Sequence, residues 1–105
     1  MTDFDPTRIE GKFSEPVILT DHRLVLGLIH LDGAGIRVCA WDGEHTRHMS
    51  QAAALRLAKG LEGEAGLEPV VEALERLAAR VSLIQMRVTA ERAQKFADMP
   101  VEGHA

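Results

Sequence analysis

The stretch Leu24-Val25-Leu26-Gly27-Leu28-Ile29-His30-Leu31-Asp32-Gly33-Ala34-Gly35-Ile36-Arg37-Val38-Cys39-Ala40-Trp41-Asp42-Gly43 decides the fold. Large aliphatic and β-branched residues run in short blocks, separated by glycine-rich turn signals at Asp32 to Gly35 and at Asp42-Gly43. Blocks of this length between such turns read as antiparallel strands joined by hairpins. Upstream, Val17 to Leu19 precedes a further turn signal at Asp21-His22, and downstream Glu44 to Met49 supplies a polar last strand suited to a sheet edge. The expected sheet is a meander of three to four strands over residues 16–49.

Turn chemistry sets a register. A two-residue loop at Gly33-Ala34 places Leu31 opposite Ile36, Ile29 opposite Val38 and Gly27 opposite Ala40. With Val25, these residues form an apolar face, and the small Gly27 and Ala40 leave room for a helix. The other face carries Leu24, Leu26, Leu28 and His30 beside Trp41, Cys39 and Arg37. It is also largely apolar and needs a cover: a helix, the N-terminal arm or a second subunit. Leu26, Leu28 and Trp41 are therefore candidate interface residues.

Beyond the sheet, Ser50 stands as an N-cap before the alanine-rich run Gln51 to Lys59, giving a short helix over about 51–62. Gly60, Gly63 and Gly66 interrupt helical order. Pro69 then suits a first helical turn, and neither glycine nor proline recurs before Pro100, so a long helix is expected over 68–99. The fold class is α+β, an antiparallel β-meander followed by a short helix and a long C-terminal helix. Residues 14–99 form one domain, 1–13 a loose arm that Phe4, Ile9 and Phe13 could dock, and 100–105 a disordered tail.

In the long helix Leu67, Val70, Leu74, Leu77, Val81, Ile84 and Val88 alternate spacings of three and four, the seam of a coiled coil over about three heptads. Packing on the protein's own sheet explains the first half. Strands of ordinary length extend only about 20 Å, so the second half would overhang. Val81, Leu83, Ile84, Met86 and Val88 are accordingly expected to meet another chain, and a homodimer is the expected assembly, with an unidentified protein partner as the alternative. A rival local reading makes Val81 to Thr89 a strand, but no turn residue flanks it.

Motifs for chemistry are sparse. The derived register aligns His30, Arg37 and His48 across three strands, a row able to bind an anionic metabolite through a guanidinium fork and two imidazoles; a polar strip at the solvated end of the sheet is the plainer reading. Arg76, Arg80 and Arg87 fall within about 40° on the long helix and could contact nucleic-acid backbone, although a basic line is often a solvated face. The net charge of −4 disfavours nucleic acid as a partner.

His45 and His48 cannot both reach one ion from a strand, so no metal site is expected. Cys39 reads as buried packing, with no base beside it. No nucleophile elbow, phosphate loop, zinc-protease helix or dinucleotide fingerprint occurs, so neither catalysis nor a cofactor is expected. The single cysteine and the acidic, polar start point to a reducing cytoplasm, and no apolar run is long enough for a membrane span. The reading that results is a non-enzymatic interaction or regulatory protein.

Overall fold

The computed structural model describes residues 4–9 and 13–97 of the 105-residue chain. Four strands, β1 (Ser14–Leu19), β2 (Leu24–Leu31), β3 (Gly35–Trp41) and β4 (Thr46–Met49), are followed by helices α1 (Gln51–Leu61) and α2 (Glu68–Ala97). The strands lie in sequence order in one antiparallel sheet, with β1 and β4 as its edges. This is the expected α+β meander with a short and a long helix. The last residues of the expected helix and the tail at 100–105 lie outside the described residues.

The register between β2 and β3 differs from expectation by one residue. Leu31 pairs with Gly35, Leu28 with Val38, Gly27 with Cys39 and Val25 with Trp41. The loop holds three residues because Ala34 does not occupy a left-handed position: Gly33 (φ 80°) and Gly35 (φ 76°) take the positive φ angles, while the Ala34 N–H donates to the Leu31 carbonyl at 3.2 Å. A one-residue slip exchanges the faces of one strand relative to the other.

Leu26 and Leu28 therefore join Ile36 and Val38 beneath the helices, where Ala54, Ala58, Leu74, Leu77 and Val81 complete the main core. Val25 and Cys39, with Ile29 and Trp41, occupy the opposite face. Gly27 makes room for a phenyl ring instead of a helix, since a Cβ there would stand 2.8 Å from Cδ2 of Phe13.

The N-terminal arm supplies the missing cover. Among its described residues, Ile9 and Phe13 are 4% and 6% exposed and pack with Val25 and Cys39. Phe4 stacks on Trp41 at a centroid separation of 5.4 Å and lies beneath the Arg23 guanidinium. Phe4, Ile9 and Phe13 are the residues by which the sequence allowed the arm to dock, and all three pack on the sheet. The reason is hydrophobic: a sheet face carrying Val25, Ile29, Cys39 and Trp41 cannot be left in water without cost.

The β3–β4 connection is longer than a two-residue loop. Trp41 pairs with Thr46 and Cys39 with His48, leaving Asp42 to His45 as the turn. The Asp42 carboxylate accepts the backbone N–H groups of Glu44 and His45 at 2.9 and 2.6 Å. Those bonds favour its charged form and hold its pKa below the usual aspartate value.

Ser50 caps α1 as expected, accepting the Ala53 N–H at 3.2 Å. The helix runs through Gly60 to Leu61, and the positive φ falls later, at Gly63 and Gly66. The loop after α1 is fastened to the sheet side where the His22 imidazole meets the Gly66 carbonyl at 2.7 Å. The two helices are tied by the Gln51 amide donating to the Ser82 hydroxyl.

Candidate interaction surface

The 30 residues of α2 give a helix about 45 Å long, and Val81 to Thr89 lies wholly within it, excluding the strand alternative. Val70, Ala73, Leu74, Leu77, Ala78 and Val81 are its buried residues, so the sheet and α1 occupy its first half. Ile84 is the last half-buried position against this core, and every residue from Gln85 to Ala97 is exposed. The molecule measures 68 × 30 × 17 Å along its principal axes, the long one reflecting this projection.

The expected interface residues divide accordingly. Leu26 (2% exposed), Leu28 (0%) and Val81 (0%) are consumed by the protein's own core, and Ile84 packs at its margin. The one-residue register change moved the two leucines beneath the helices, and Val81 is still opposite the sheet. Trp41 is half-buried under Phe4. Leu83 (56%), Met86 (66%) and Val88 (40%) remain exposed, as does Phe96 at 79%, which the sequence reading had passed over. A lone phenylalanine in the polar run Glu91 to Ala97 was the signal available.

Val88 continues the core stripe, but the next positions on that side are Glu91, Arg92 and Lys95, where the stripe ends. Leu83 and Met86 lie on the opposite side of the helix. Their neighbours there are Ala79, Ala90, Ala93 and Ala97, all exposed and uncharged. Two large apolar side chains among four alanines therefore face water on this side of the helix.

Beside that strip, α2 and β1 enclose an open groove of about 580 Å³, lined by Glu15, Pro16, Ile18, Arg76, Arg80 and Leu83 among others. Arg80 Nε donates to both Glu15 carboxylate oxygens at 2.8 and 2.9 Å. Glu15 adopts a left-handed φ of 53° at the bulge between Ser14 and Val17. Nothing in the local sequence marks a glutamate for that conformation, which is uncommon for a residue with a Cβ. Of the expected basic line, Arg80 is therefore ion-paired, while Arg76 and Arg87 are exposed.

The proposed anion row does not assemble. His30 pairs with Ile36 and Arg37 with Ile29, which puts neighbouring side chains on opposite faces. His48 pairs with Cys39, on the face that carries Arg37 but one step along it. Arg37 Nε is buried with no hydrogen-bond partner among the described residues. Burial raises the Cys39 thiol above its ordinary pKa, which makes it a poor nucleophile. Among the described residues, no three His, Cys, Asp or Glu side chains are grouped as metal ligands would be, and no helix is long and apolar enough to cross a membrane.

Comparison of the chain with protein-family models, curated proteins and solved structures gave no match.

Proposed function

We propose that this chain is a small non-enzymatic interaction or regulatory protein that works as a homodimer, pairing through the projecting half of α2. The observation that carries the reading is the exposure of Leu83 and Met86, at 56% and 66%, on a helix segment that leaves the body. Full burial of a Leu or Met side chain contributes roughly 1.5–3 kcal/mol, so four such side chains in a symmetric pair supply about 6–12 kcal/mol gross. Association itself costs on the order of 4–15 kcal/mol. The most favourable ends of the two ranges leave about 8 kcal/mol, so the dissociation constant is expected to be no tighter than micromolar and concentration is the variable to control.

The two other classes have less support. An anionic metabolite would find Arg37 and His48 on one sheet face but His30 on the other. A nucleic-acid backbone would have to compete with Glu15 for Arg80, beside the acidic Glu72 and Glu75. A buried thiol as the single cysteine suits a reducing cytoplasm.

The test is the double substitution Leu83→Asp with Met86→Asp. Both sites are exposed, so the far-ultraviolet spectrum and Trp41 emission are expected to stay native while the micromolar mass falls to that of one chain. An unchanged dimeric mass would remove this segment from the interface.

A further inference from the structure

We infer that the groove between β1 and α2 binds a small amphiphile with a single negative charge, a medium-chain aliphatic carboxylate, anchored by Arg76. Such a ligand would bind whether or not the chain self-associates. The groove's volume of about 580 Å³ falls within the roughly 300–1,000 Å³ of ordinary small-ligand sites. Its floor is apolar, with Leu77 2% exposed and Val17 half-buried against the main core. Ile18 on the β1 wall and Leu83 on the α2 wall are 39% and 56% exposed, so both have apolar surface left to bury.

Charge selects the class of occupant. Glu15, Arg76 and Arg80 are the charged residues of the lining. Glu15 and Arg80 offset each other as an ion pair at 2.8 Å, whereas Arg76 is exposed and has no ion-pair or hydrogen-bond partner among the described residues. One uncompensated positive charge therefore remains beside an apolar floor, and it matches one anionic group on an apolar body. A guanidinium offers a carboxylate two parallel N–H donors, which fixes the orientation of the head as well as its charge. Arg76 and Leu83 are seven residues apart, about 10 Å along the helix axis, close to the extended length of octanoate.

The backbone supports the same place. Glu15 holds its left-handed φ of 53° immediately before Pro16, although a residue preceding proline is sterically steered to extended conformations. Backbone outliers of this kind persist where their surroundings hold them, and they cluster at ligand sites. Here the bulge carries the Glu15 carboxylate to Arg80 on α2, tying the two walls of the groove together. That tie also occupies the neighbouring carboxylate, which leaves Arg76 to the ligand.

The test is a titration of the full chain with sodium octanoate at fixed protein concentration, followed by methyl nuclear magnetic resonance. Saturable shifts are expected at Ile18, Leu77 and Leu83, with Leu55 and Leu57, exposed on α1, unmoved. Arg76→Ala is expected to keep the fold, since the side chain is exposed, and to weaken binding about tenfold or more, the usual scale for losing a charged hydrogen bond. Arg76→Lys should restore most of the affinity, and Arg87→Ala, outside the groove, should leave it unchanged. Octanol, with the same chain and no charge, is expected to bind at least tenfold more weakly. Shifts spread equally over Leu55 and Leu57, or an Arg76→Ala variant that binds octanoate as the native chain does, would overturn the site. Octanol binding as tightly as octanoate would overturn the anionic class of ligand.

Discussion

Val81→Asp is expected to unfold the protein, whereas Leu83→Asp two residues later is expected to leave the fold of each chain intact. Val81 is 0% exposed, and among the described residues no polar or charged residue is buried in the core around it. An aspartate there would have no donor or cation to meet it. An uncompensated buried charge costs on the order of 3–5 kcal/mol, which consumes much of the ~5–15 kcal/mol that stabilises a small domain. Loss of the Val81 packing adds to that. Circular dichroism against temperature checks the expectation: a cooperative melt within a few degrees of native would mean that the helix does not present this face to the sheet. The contrast between the two sites separates the stripe that holds the fold from the strip available to a partner.

Phe13→Ala is expected to lower stability by about 3–5 kcal/mol, the usual range for removing a buried phenylalanine. The ring lies directly over Gly27 and packs with Ile9, Val25 and Cys39, so its loss opens a cavity and loosens the arm. Trp41, stacked with Phe4 in the same cluster, reports the change. Urea unfolding followed by tryptophan emission should show a midpoint far below native, together with a redder native-state spectrum. A loss of less than about 1 kcal/mol would mean that the arm contributes little to covering the second face.

The order and type of the elements were legible because each is written in local signals. Glycine-punctuated aliphatic blocks gave the strands, Ser50 gave the start of α1, and the glycine-free interval after Pro69 gave α2. Register was harder. It depended on whether Ala34 or its two flanking glycines would take positive φ, and the turn chosen moved β3 by one residue. Each strand's own alternation had been read correctly, but the one-residue slip decided which apolar faces shared a side. It also dissolved the row of His30, Arg37 and His48.

The candidate site was half legible for a related reason. A 3-4 spacing of large aliphatic residues is conspicuous, and it led to Val81 as a partner-facing residue when that stripe in fact serves the sheet. The second strip is built mainly from alanines, which also occur on solvated helix faces because of their propensity, so only Leu83 and Met86 drew notice. Their placement opposite the core became informative once the sheet had claimed the first stripe. The Glu15–Arg80 pair joins residues 65 apart and depends on a strained bulge, so no local pattern announced it.

The most direct test of the account is the mass of the unmodified protein by sedimentation equilibrium across a dilution series from about 100 μM to 1 μM. Self-association through α2 predicts a mass approaching twice the 11.5 kDa of one chain at the high end and falling reversibly on dilution. A mass of one chain throughout the series would contradict it.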